Sequence, residues 1–135
     1  MRSAVSLLIV LCVVLCGCKS LDDQATIWTA ESRSPDGTSI ATASRVDYGG
    51  PGNAGLYTYV YLKRTIYGNP PEEIVTFDQE DVGLPDATRL DLAMNWVTPS
   101  HLDVTYNSHA GTLEYQVALC LGINITVHDS ASSSQ

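Results

Sequence analysis

The 135-residue sequence predicts an all-β domain behind a cleavable N-terminal segment, and three observations carry that expectation. Beyond residue 25 no stretch repeats apolar residues at helical spacing over a useful length. Short runs instead alternate apolar and polar residues with period two, as half-buried strands do. Turn residues such as "SPDG", "YGNPP" and "TPS" separate those runs, at the spacing of an all-β sheet or sandwich. The expected architecture is a single antiparallel sheet or sandwich-like meander of about seven or eight strands, following an N-terminal signal helix.

Residues 1–3 carry one positive charge, and residues 4–15 are apolar apart from Ser6. This is the charged head and apolar body of an export signal. A bilayer-spanning helix needs about 20 apolar residues, and this run meets Lys19, Asp22 and Asp23 before reaching that length. At its end stand Leu15, Cys16, Gly17 and Cys18. They resemble the lipobox of bacterial lipoproteins, in which a leucine and two small residues precede the cysteine that receives diacylglycerol; Cys16 stands where Ala or Ser is usual. The resemblance implies that Cys18 becomes the lipidated first residue of the mature chain and the membrane anchor. Acyl burial contributes about 0.8 kcal/mol per methylene, so the two or three chains of a lipoprotein hold firmly where one would not. Lys19 follows, and in lipoproteins of double-membraned bacteria an Asp there is the usual inner-membrane retention signal. The resemblance therefore implies the outer membrane, facing the periplasm, where the host has one.

The expected organisation is a signal peptide over 1–17, a lipidated cysteine and polar tether over 18–25, a β-domain over 26–128 and a disordered tail over 129–135. Removing 17 residues leaves 118, enough for one core and hardly for two. Cys12 and Cys16 depart with the signal and Cys18 takes the lipid, so Cys120 is the remaining thiol. No internal disulfide is expected, and Cys120 in "YQVALCLGI" reads as a small buried apolar residue. Without Arg2, six Lys and Arg oppose fifteen Asp and Glu, a net charge of −9. That excludes the basic footprint a nucleic-acid partner needs.

Strand by strand, residues 26–31 form the first candidate. "SPDGT" over 34–38 follows as a turn, Pro35 fixing φ and Asp36 and Gly37 tolerating tight geometry. The return strand 39–46 places Ile40, Thr42, Ser44 and Val46 on one face and Ala41, Ala43 and Arg45 on the other. "DYGGPGNAG" over 47–55 is Gly-rich, but it lacks the Lys and Ser or Thr of a phosphate-binding loop and leads into a strand. In "LYTYVYLKR", 56–64, Leu56, Thr58, Val60 and Leu62 share one face and Tyr57, Tyr59 and Tyr61 the other. A strand over 73–78 precedes an acidic loop over 78–86, which lacks the residue order of an EF-hand calcium loop. Leu90, Leu92, Met94 and Trp96 alternate with polar or small residues, and after "TPS" so do Leu102, Val104 and Tyr106, giving a second hairpin. Residues 113–127 are too long for one flat strand, and Gly122 marks a bulge or bend between 113–119 and 123–127.

The runs "ESRSPDGTSIATAS", "YTYVYLKR" and "LDLAMNWVTPSHLDVTY" resemble small, largely uncharacterised bacterial exported domains and lipoproteins over residues 28–106. That resemblance is one of fold and brings no catalytic residues. The SPDG turn is also similar to the blade turn of TolB-type β-propellers, yet the chain has one such turn and no repeat at a blade period.

Three groups of side chains are candidates for function. Tyr57, Tyr59 and Tyr61 form a candidate binding face, since tyrosine supplies rigid amphipathic contact area; aromatic residues are also simply good strand formers. His101 and Asp103 share a strand face, with His109 or His128 as conceivable further ligands, but two ligands do not define a metal site. No nucleophile elbow or zinc-protease helix is present, and no catalytic residue, metal ligand or cofactor is assigned. The expected function is that of a non-enzymatic lipoprotein, a binding or structural module of the cell envelope with an envelope protein as partner. The alternative is a periplasmic domain that binds a small molecule or a metal.

Overall fold

A computed structural model of the chain describes residues 23–49, 55–66, 68–79 and 90–133. The segment read from sequence as a signal, Cys18, the middle of the Gly-rich loop and most of the acidic loop lie outside the described residues. Among the described residues nine strands occur: β1 Asp23–Arg33, β2 Ser39–Gly49, β3 Gly55–Arg64, β4 Glu72–Gln79, β5 Ala93–Thr98, β6 His101–Tyr106, β7 Thr112–Gln116, β8 Leu119–Cys120 and β9 Ile123–Asp129. They form a five-stranded sheet in the order β1-β2-β3-β4-β7 and a four-stranded sheet in the order β5-β6-β9-β8. The domain is all-β, with two sheets and one more strand than the sequence pattern indicates.

The first four strands make an antiparallel meander. The SPDG turn joins β1 to β2 as its residues dictate. The Asp36 carboxylate accepts from Ser34 Oγ at 2.7 Å, from the Thr38 amide at 3.1 Å and from Thr38 Oγ1 at 2.9 Å. The Gly37 amide closes the turn on the Ser34 carbonyl at 2.9 Å, with Gly37 at φ 71°, where a Cβ would be strained. β1 starts at Asp23, inside the segment read from sequence as a tether, because its backbone pairs as far as Gly49 on β2.

Alternation builds the core. Ala41 and Ala43 of β2 and Leu56, Thr58, Val60 and Leu62 of β3 are buried on one side of the five-stranded sheet. Leu102 and Val104 of β6 and Ile123 and Ile125 of β9 meet them from the other sheet, with Phe77, Ile74, Val75 and Leu90 between. A bulge after Val60, where β4 carries an extra residue, puts both Ile74 and Val75 in the core. Other bulges leave Ile27 and Val97 outside, 55% and 61% exposed. Trp96 ties the sheets together, donating its indole N–H to the Ser32 carbonyl at 3.2 Å.

The C-terminal third departs most from the sequence pattern. The run 113–119 is not one strand: β7 joins the five-stranded sheet beside β4, and the chain then crosses to the other sheet as β8. This crossing makes a parallel pair possible. β6 and β9 run parallel with His101 opposite Asn124 and Thr105 opposite His128, and a parallel pair needs a long connection, which residues 107–122 supply. Gly122 marks a two-residue turn between β8 and β9 rather than a bulge. Leu121 and Gly122 have φ 52° and 75°, and the left-handed conformation costs a leucine about 1–2 kcal/mol. The chain beyond β9 begins in an ordered turn: the Ser130 amide bonds the Tyr106 carbonyl at 2.8 Å and the Ala131 amide bonds Asp129 Oδ1 at 2.9 Å.

Candidate functional site

Tyr57, Tyr59 and Tyr61 lie on the outer face of the five-stranded sheet, opposite the core side chains of β3, as the alternation requires. Strand register adds two tyrosines that the pattern on β3 does not show. Tyr48 shares the face because Val46 pairs with Tyr57, and Tyr115 shares it because Tyr59 pairs with Thr76 and Thr76 with Tyr115. The four on β2 and β3 form a ladder. Tyr48 meets Tyr57 edge-on with centroids 5.6 Å apart, and Tyr57, Tyr59 and Tyr61 follow at 6.3 and 6.1 Å. Tyr57 leans back over Gly55, where an added Cβ would come within 2.8 Å of the ring. The glycine thus gives the ladder its room, an aromatic covering a side-chain gap.

The ladder is partly desolvated. Tyr48 Oη and Tyr59 Oη are 3.2 Å apart, and burial, followed by that hydrogen bond, pushes the Tyr59 hydroxyl well above the usual tyrosine range. Burial and the nearby Glu73 carboxylate raise Tyr61 as well. The Tyr59 and Tyr61 hydroxyls therefore keep their protons and can act as donors and acceptors. Tyr115, 47% exposed, continues it to the edge strand β7.

The four-stranded sheet presents a different surface. The β6–β9 register brings Thr126 opposite Asp103, and a chain of polar groups results. Thr126 Oγ1 donates to Asp103 Oδ1 at 2.7 Å, and His128 Nε2 lies 3.0 Å from the same oxygen. Because the Thr126 hydroxyl spends its proton on the carboxylate, its oxygen accepts from His101 Nε2 at 3.1 Å. The bonds fix both imidazoles as Nε2 donors. His101, Asp103 and His128, singled out in the sequence, are thus brought together. His109 stays apart in the β6–β7 turn, its amide on Asn107 Oδ1 at 3.0 Å. Among the described residues no three His, Cys, Asp or Glu side chains converge as a metal site.

A buried polar row within the sandwich was missed by sequence reasoning. Thr58 Oγ1 donates to Gln79 Oε1 at 2.8 Å and Gln79 Nε2 to the Ala110 carbonyl at 3.2 Å, both side chains being buried. The Arg45 guanidinium sits 5.6 Å from the Trp28 ring centroid, a cation–π contact. Period-two reading places Thr58 and Arg45 on the inner face but cannot supply their partners. Cys120 packs against the core, and burial, then the Glu72 charge, raises its thiol, the opposite of what a nucleophile needs. Cys18 lies outside the described residues.

No family model, curated protein or solved structure matches the chain.

Proposed function

We propose that the protein is a lipoprotein of the cell envelope, anchored through Cys18, whose β-sandwich acts without chemistry of its own as a binding or structural module. The tyrosine face is its contact surface, for an envelope protein. In a double-membraned host the domain faces the periplasm from the outer membrane. The observation that carries the reading is the five-tyrosine outer face: Tyr48, Tyr57, Tyr59, Tyr61 and Tyr115 set amphipathic rings along one side of a sheet, with Glu73 and Asp78 beside them. Tyrosine is enriched in the cores of protein interfaces.

Two experiments test it. Cell fractionation of Cys18→Ala should move the protein from the membrane to the soluble envelope fraction, and a variant that stays wholly in the membrane contradicts the anchor. Native electrophoresis of gently solubilised envelopes should show the wild-type chain in a species larger than the free protein. Tyr115→Glu, a change at a half-exposed position, should return it to the free form. A wild-type chain that migrates alone contradicts the docking role.

A second reading is a periplasmic domain that binds a small molecule or a metal at the His101, Thr126, Asp103 and His128 chain, whose members bond one another and would have to rearrange to hold an ion. It predicts a rise in melting temperature with zinc, because a ligand bound to the native state alone stabilises it. His101→Ala should abolish that rise.

A further inference from the structure

The end of β3 meets two turns at a cleft of about 460 Å³, lined by Thr38, Arg64, Ile66, Asn69 and Leu121. Arg64 is half-buried there. Its Nη1 donates to Thr38 Oγ1 at 3.3 Å and Ser39 Oγ at 3.1 Å, and its Nη2 to the Leu121 carbonyl at 2.6 Å. A guanidinium has five N–H donors, so Nε–H and one Nη2–H remain. Neutral groups hold this cation: the ion pairs among the described residues are Arg33 with Glu31 and His128 with Asp103, and neither involves Arg64. In a chain of net charge −8, a guanidinium with two free donors and no carboxylate is conspicuous.

Three further features converge on the same cleft. Leu121 is held left-handed, at φ 52°, where Asn or Gly would sit unstrained, and backbone outliers of this kind cluster at ligand clamps. The strained residue turns its carbonyl to Arg64 and lines the cleft, while also packing against the core. Ile66, 70% exposed, supplies a second apolar surface beside it. The Thr38 hydroxyl and the Asn69 amide complete a lining that is part polar and part apolar, as small-molecule sites are.

We propose that this cleft binds a carboxylate attached to a short apolar body. The free Nε–H and Nη2–H of Arg64 receive the carboxylate, and Ile66 and Leu121 cover the body. A planar carboxylate matches the fork of a guanidinium. One cation suits one negative charge, whereas a phosphate dianion would need more positive charge than this cleft supplies. The carboxylate can belong to a small acid or to the C-terminus of a peptide ending in an apolar residue. The inference rests on different residues from the tyrosine face and stands or falls apart from it.

Titration calorimetry on the full-length chain in detergent micelles tests it with four probes: 4-methylpentanoate, its neutral amide, acetyl-Gly-Leu with a free C-terminus, and the same dipeptide amidated. At least one acid should bind saturably, with its amide weaker by about tenfold or more, the loss expected for a charge-assisted hydrogen bond. Binding of both acids assigns the site to small carboxylates, and binding of the dipeptide alone assigns it to chain ends. Asn69→Asp, a near-isosteric change on an exposed segment, puts a negative charge at the cleft and should weaken the acid by about tenfold. Arg64→Lys keeps the charge but loses the fork and should also weaken binding, with near-ultraviolet circular dichroism checking that the turns stay folded. Absence of saturable binding by either acid, equal binding of acid and amide, or an Asn69→Asp variant that binds the acid as well as wild type overturns the proposal.

Discussion

The outer face of the five-stranded sheet is aromatic and partly closed on itself, whereas the outer face of the four-stranded sheet carries a chain of short polar side chains. On the first, Tyr48, Tyr57, Tyr59 and Tyr61 cover one another, and burial raises the Tyr59 and Tyr61 hydroxyls. On the second, His101, Thr126, Asp103 and His128 satisfy one another through bonds of 2.7–3.1 Å. The two faces solve the same problem differently. A ring ladder removes apolar area from water, and each removed square ångström contributes about 25 cal/mol. A polar chain on a half-exposed surface only exchanges water hydrogen bonds for internal ones, and the net gain per bond is about 1 kcal/mol. The tyrosine face should therefore matter more to stability.

The largest expected effect is that of Tyr59→Ala. It removes the central ring, leaving Tyr57 and Tyr61 without the neighbour between them, and should cost about 2 kcal/mol by urea denaturation with the slope unchanged. A loss no greater than that of a polar-face variant would erase the contrast. Thr126→Val comes next. It keeps the shape but leaves Asp103 and His101 each short of a partner, for about 1 kcal/mol. Tyr59→Phe, which loses only the contact with Tyr48, should cost about 0.5–1 kcal/mol. His128→Ala is the smallest change, about 0.5 kcal/mol or less, because the pair it forms with Asp103 is solvent-screened.

Alkaline titration sharpens the comparison in a second dimension. The folded state holds the Tyr59 proton more tightly than the unfolded chain does. The associated stability is therefore full below the ordinary tyrosine value of about 10 and declines as pH rises beyond it. Tyr59→Phe should lessen that decline, and Thr126→Val should leave its slope as in the wild type. Equal slopes for wild type and Tyr59→Phe, measured by urea midpoints across the alkaline range, would remove burial of the hydroxyl from the account.

What the sequence disclosed follows the same division. The Tyr57, Tyr59 and Tyr61 stripe was legible because three residues on one strand need only the two-residue period. Tyr48 and Tyr115 were not, because they join the face through the β2–β3 and β4–β7 registers, and register depends on loops and bulges rather than on local pattern. His101 and Asp103 were visible as a same-face pair. Thr126 and His128 reach them only because β9 lies parallel to β6, which in turn depends on β7 leaving for the other sheet. Nothing in "LEYQVALCLGINITV" announces that departure: residues 117–121 are apolar with no turn residue among them, and the split at residues 117–118 comes from tertiary pairing. Arg64 closes a long alternating strand and reads as its solvated end. Its partners come from a turn 26 residues earlier and one 57 residues later, separations that no local period encodes.

The central claim is that the tyrosine face, and not the polar face behind it, is the surface this protein presents to a partner. The most direct test places a photo-crosslinking amino acid at Tyr59 or at Thr126 in the full-length protein in living cells, and compares the adducts. The account predicts a discrete adduct, identified by mass spectrometry, from Tyr59 and none from Thr126. Silence at Tyr59, or the same adduct from both faces, would contradict it.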